Sequence, residues 1–175
     1  YFDVKSPLVS TYLKNQETNV IIVPCHEGEE LEYVRRDLLL MTFALDNEGK
    51  LVRNILSPMR AKGQEFDRVV LYCFGEACVR DLQYQRLLNL INPTVPQALS
   101  LSADEQIPLE YFINRLYVAA SRAQKRILIV DTQEGINQFW RIFRDFDLEL
   151  FVERYRGLNP SHVWDSSRDL VRIQE

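Results

Sequence analysis

The sequence predicts an α/β fold, a mostly parallel sheet flanked by helices. Apolar runs of strand length recur at residues 19–23, 69–74 and 127–130, with a further short branched run at 52–56. The segments around them carry apolar residues at helical spacing, so the order reads strand, helix, strand, loop, strand, helix, strand. At 175 residues, the chain suffices for one domain with a full core and a helical appendage.

The elements follow in order. Residues 7–13 form a weakly amphipathic leading helix, followed by the polar run 14–18. The run 19–23 is stopped by Pro24, which punctuates a buried strand. Residues 27–40 place Leu31, Val34, Leu38 and then Met41 on one helical face, with acids in the first turn where the helix dipole favours them. A turn at 46–50 leads into the strand at 52–56, the loop at 57–66 and the strand at 69–74. Residues 80–91 offer Leu82, Leu87, Leu88 and Ile91 for a helix that Pro93 and Pro96 end. After a loop at 93–107, Asp104 and Glu105 lead into a helix from about Leu109 to Ala123, apolar through Leu109, Phe112, Ile113, Leu116 and Ala120. Residues 135–156 are rich in aromatics, among them Phe139, Trp140 and Phe143, and read as helices packing back on the sheet. Gly157 and Pro160 interrupt them, and 161–175 is a polar end.

Composition excludes several classes. Hydrophobic content of 46% with 26% charged residues is that of an ordinary globular protein. No apolar run approaches the roughly 20 residues of a membrane span, and the first residues are not a signal peptide, so the cytoplasm is the expected location. A chain that begins at Tyr1 is expected to be a piece of a longer one. Cys25, Cys73 and Cys78 form no Cys-x-x-Cys pair, and His26 and His162 are the only histidines, so neither a metal site nor a disulfide framework is expected. Cys73, inside an apolar run, reads as a small buried hydrophobe. A net charge of −4 argues against a dedicated nucleic-acid module but allows a local basic strip.

Two stretches carry chemistry. Residues 57–66 read Ser-Pro-Met-Arg-Ala-Lys-Gly-Gln-Glu-Phe, a Lys-Gly pair, an acid and an aromatic in a loop between apolar runs. Residues 115–126 read Arg-Leu-Tyr-Val-Ala-Ala-Ser-Arg-Ala-Gln-Lys-Arg. The first resembles the motif Thr-x-His-x-Ala-Lys-Gly-Leu-Glu-Phe of UvrD/Rep-like superfamily 1 helicases, found in their second RecA-like domain. The second is similar to that family's last motif, Leu-Tyr-Val-Ala-x-Thr-Arg-Ala-x-x-Arg. The resemblance covers about residues 19–132, leaving 133–175 as a helical C-terminal extension. It implies a RecA-like fold of the P-loop NTPase type and the C-terminal half of an ATP-dependent DNA helicase or translocase.

The resemblance also implies roles. Arg122 matches the arginine finger on the γ-phosphate of ATP, a role suited to the forked guanidinium; an ion pair with a local acid is the plainer alternative. Glu65 matches the acid that contacts the ribose, and Gly63 would let the backbone approach a phosphate. Both also fit an ordinary turn. Ser57, Arg60 and Lys62 would face single-stranded DNA, with RNA also open, and Arg53 and Arg68 flank them. The chain departs from the family in several places. Met59 stands where the family has histidine, Gln64 where it has leucine, and residues 23–26 read Val-Pro-Cys-His with no arginine. No lysine lies in Gly-x-x-x-x-Gly-Lys-Ser/Thr. The ATP phosphates and Mg²⁺ would therefore belong to an N-terminal RecA-like domain of the same parent chain, and this chain alone should not turn over nucleotide. The gap between Leu40 and Val52 is too short for the large accessory domain of many relatives. The alternative is a catalytically lapsed, helicase-derived module that binds nucleic acid or protein.

Overall fold

The computed structural model describes residues 2–3, 20–81, 84 and 102–141. Its elements in chain order are β1 (Phe2–Asp3), β2 (Val20–Ile22), α1 (Glu30–Arg36), α2 (Leu38–Ala44), β3 (Ile55–Leu56) and α3 (Pro58–Ala61). There follow β4 (Phe66–Tyr72), α4 (Phe74–Arg80), α5 (Ala103–Ala120), β5 (Ala123–Asp131), α6 (Gln133–Gly135) and a π-helical turn, Ile136–Trp140. The five strands form one sheet in the order β1-β5-β4-β2-β3, and every pairing is parallel. The α/β architecture expected from the sequence is therefore present. No helix of the described residues is long and apolar enough to cross a membrane.

Burial on both faces explains why β2 and the later part of β4 read as continuous apolar runs. Ile21, Val70 and Tyr72 point into one core, against Val34, Leu40 and Phe43 of α1 and α2. Val20, Ile22, Val69 and Leu71 point into the other, against Phe112 and Ala119 of α5 and Phe139 and Trp140 beyond β5. Each fully buried Ile or Leu contributes about 1.5–3 kcal/mol relative to exposure.

Three elements differ from expectation, the first two for a physical reason visible in the structure. The helix expected over 27–40 is two helices, broken at Asp37, whose backbone is extended (φ −107°, ψ 106°). Asp37 Oδ1 accepts from Leu40 N (2.8 Å) and Oδ2 from the Tyr72 hydroxyl (2.8 Å), so a side-chain cap and a tie to β4 outweigh the apolar periodicity. The strand expected through Phe74 ends at Tyr72, because Cys73 turns left-handed (φ 56°) and α4 begins at once. Cys73 is buried as expected and is also this turn. The helix expected from Leu109 begins at Ala103 and carries Pro108 inside it, and Ile113, expected on its buried face, is 46% exposed.

β4 and β5 both start ahead of their apolar runs, at Phe66 and Ala123. Phe66 and Ala123 are half-buried against the core, but the polar residues after them, Asp67 and Arg68 on β4 and Gln124 to Arg126 on β5, separate them from the apolar runs. The first residues, outside the predicted core, contribute the edge strand β1 beside β5. The leading helix at 7–13, most of the helix at 80–91 and the extension beyond residue 141 lie outside the described residues.

Candidate functional site

The loop at 57–66 is shaped by three local rules. Ser57 caps α3, its Oγ accepting from Arg60 N (3.4 Å), and Pro58 follows at the first helical position, where a missing N–H costs nothing. Gly63 then takes φ 80°, which ends the helix and aims the chain into β4. A Cβ built on Gly63 would meet nothing within 4 Å, so the backbone angle, not crowding, is what calls for glycine there.

Under this loop lies Glu30, only 2% exposed, which the sequence marks merely as an acid in a helix's first turn. Its Oε1 accepts from Ser57 N (3.2 Å) and its Oε2 from Gly28 N (3.0 Å), with Arg60 Nη1 3.7 Å away. Burial alone would raise the Glu30 carboxyl; hydrogen bonds from the Ser57 hydroxyl and backbone, with Arg60 nearby, bring it below its ordinary value. Ser57 is consequently turned inward and fully buried. Arg60 is half-exposed, Lys62 is exposed and Met59 is 45% exposed, so the basic side chains, not the serine hydroxyl, present themselves to solvent. Arg53 is used elsewhere, its Nε donating to the Phe43 carbonyl (3.0 Å).

Arg122 stands just past the carboxyl end of α5 and just before β5. Phe66 N donates to the Arg122 carbonyl (2.8 Å), which pins the start of β4 beside the start of β5. The guanidinium donates through Nε to Val118 O (3.0 Å), through Nη2 to Ser121 Oγ (3.0 Å) and through Nη1 to Gln64 O (3.2 Å). Across the same pair of strands Gln124 Nε2 donates to Glu65 Oε2 (2.6 Å). Arg122, far along the chain from the 63–65 segment, therefore bonds it through Gln64 O on the rim at the amino ends of β4 and β5, where Glu65 is tied to Gln124.

The opposite rim is different. There α4 starts with N–H groups that would suit an anion, and Asp131 fills the position. Its Oδ2 accepts from Gly75 N (2.6 Å) and Trp140 Nε1 (2.7 Å), its Oδ1 from Glu76 N (2.9 Å) and Thr132 N (2.9 Å). Burial pushes the Asp131 carboxyl above its ordinary value, against these four bonds. A Cβ on Gly75 would come within 2.8 Å of the Gly135 carbonyl and on Gly135 within 2.2 Å of Asp131, so both glycines are required by close approach. Beyond β2, Arg115 of α5 reaches the Cys25 carbonyl through Nη2; its Nε is the buried side-chain nitrogen without a partner among the described residues.

No group of three or more His, Cys, Asp or Glu able to hold a metal ion occurs among the described residues. Comparison with protein-family models, with curated proteins and with solved structures found no match.

Proposed function

We propose that this chain is the C-terminal RecA-like domain of a UvrD/Rep-like superfamily 1 DNA helicase or translocase of the cytoplasm. The observation that carries the reading is the bond of Arg122 to the Gln64 carbonyl, between Gly63 and Glu65 in the chain, with Glu65 tied to Gln124 across the same pair of strands. In this role the rim faces an N-terminal RecA-like domain of the same parent chain, and ATP with Mg²⁺ lies between them. Arg122 binds the γ-phosphate by exchanging the Gln64 carbonyl for phosphate oxygens, a charge-assisted contact that is stronger than the one it leaves. Glu65 accepts from ribose hydroxyls in place of Gln124, and Gly63 leaves the backbone open to approach. Arg60 and Lys62 hold phosphates of a single strand, DNA or RNA, while Ser57 and Glu30 fix the helix that carries them.

The test is ATP turnover by the parent protein with Arg122→Ala. An arginine finger is worth about 10³ to 10⁵ in rate, so a loss of at least about a hundredfold with the fold intact is expected. Near-normal turnover would remove the role. A second reading, a lapsed helicase-derived binding or regulatory module, draws on the sealed Ser57 hydroxyl and on a guanidinium whose three nitrogens all have protein partners. Turnover indifferent to Arg122 would favour it.

A further inference from the structure

Position 64 is where this chain replaces the motif's leucine with a residue that can donate a hydrogen bond. Gln64 Nε2 donates to the Arg60 carbonyl (2.7 Å), in the last turn of α3. The carbonyl of the same residue accepts from Arg122 Nη1 (3.2 Å), and its N–H donates to Ala61 O (3.1 Å). The two backbone bonds would survive any side chain; the bond to Arg60 needs an amide. One residue thus links the carbonyl of a basic residue facing solvent to the guanidinium at the rim.

The three partners of that guanidinium are not equivalent. Val118 O and Ser121 Oγ belong to the end of its own helix and move with it. Gln64 O belongs to the neighbouring loop, so its bond ties Arg122 to the loop and holds the side chain across the rim. We infer that Gln64 is a positioning residue through which a single strand bound at Arg60 and Lys62 governs release of the Arg122 guanidinium. The inference rests on the nucleic-acid reading of α3 proposed above. Phosphates drawn to Arg60 and Lys62 shift the last turn of α3. The Arg60 carbonyl carries the Gln64 amide with it, and the Gln64 carbonyl leaves Nη1. The arginine is then held only by its own helix end and is able to turn outward.

The experiment uses the full 175-residue chain, labelled with ¹⁵N-arginine, and a single-stranded oligo(dT) as the probe. The Arg122 Nε–Hε resonance, identified by its loss in Arg122→Lys, is followed through the titration in the wild type, in Gln64→Leu and in Gln64→Met. Both substitutions remove the donor, and Met keeps nearly the length of Gln, so a folding defect in one does not decide the matter. The expected result is a resonance that moves on saturation in the wild type and moves less than half as far in both variants, which keep only the backbone bond from residue 64 to Ala61 O, with affinity by fluorescence anisotropy unchanged within about twofold. If the oligonucleotide binds and the resonance does not move in the wild type, or moves equally in both variants, the coupling is wrong while the nucleic-acid reading stands. If the oligonucleotide does not bind the wild type, the coupling falls together with that reading.

Discussion

Glu30→Gln tests whether a buried carboxylate organises the basic loop. The two oxygens of Glu30 each accept one backbone N–H, Ser57 N at 3.2 Å and Gly28 N at 3.0 Å. A glutamine of the same shape has one oxygen, so its amide nitrogen must face one of those donors. The donor so stranded costs about 1–3 kcal/mol, and the surviving bond weakens by about half on passing from a charged to a neutral acceptor. The contact to half-exposed Arg60 at 3.7 Å adds little. Relief from burying a charge offsets part of the loss, which leaves about 2 kcal/mol, or about 4–8 °C in Tm for a chain of this size. The pH dependence has a definite sign. The Glu30 carboxyl lies below its ordinary 4.5 in the folded protein, so its contribution is full above that value and is lost as pH falls through the folded pKa. Urea unfolding followed by tryptophan fluorescence should therefore show a gap between wild type and Glu30→Gln that is constant near neutrality and closes on the acid side of 4.5. A neutral-pH gap under about 0.5 kcal/mol, or one that persists unchanged into acid, would refute the assignment.

Three other outcomes are expected. Asp131→Asn turns one oxygen that accepts two N–H groups into a donor facing them, and unfolding in urea should show a loss of about 3 kcal/mol; a loss below about 1 would mean the four bonds matter little. Gly63→Ala places a Cβ in open space at φ 80°, so the cost is backbone strain alone, about 1–2 kcal/mol by thermal unfolding, and no loss would show that the loop relaxes freely. Arg60→Gln and Lys62→Gln should each lower the slope of log affinity against log salt for a single-stranded oligonucleotide by about 1, and an unchanged slope would exclude phosphate contact at that residue.

How much was legible in the sequence follows from where the signal resides. Val20–Ile22 and the core of β4 announce themselves because burial on both faces leaves no polar residue in the run. The amino ends of β4 and β5 do not, since Asp67, Gln124 and Lys125 fall where the register shifts between Phe66 and Arg68 and make polar contacts, an exposed Lys125–Asp67 ion pair (2.7 Å) among them. Arg122 and Glu65 were readable as a pair only through motif letters; periodicity is silent about two residues joined by strand register. Glu30 and Asp131 were missed for the same reason. Each acts on partners far along the chain, Ser57 in one case and Gly75 in the other, and a carboxylate carries no local mark of the donors it will meet. Asp37 did carry a mark: an aspartate before an apolar Leu-Leu-Leu run is a cap signal, outvoted by the helical spacing of Leu31, Val34 and Leu38.

The contrast between the two rims bears on why the proposed site calls for a second domain. In open α/β sheets ligands usually lie beyond the carboxyl ends of the strands, where helix N-termini offer N–H groups to anions. Here the N–H groups at the start of α4 are already spent on Asp131, and a second anion beside that carboxylate meets like charge. At the other rim α5 arrives carboxyl end first, so its last carbonyls face outward and its dipole favours a cation. Arg122 is that cation, its Nε on Val118 O. A phosphate approaching this rim would meet helix carbonyls except where the guanidinium stands in front of them, so the rim can complete a phosphate site and not constitute one. In the proposed role the remaining donors and the Mg²⁺ must come from outside the chain, which is the physical content of calling Arg122 a finger.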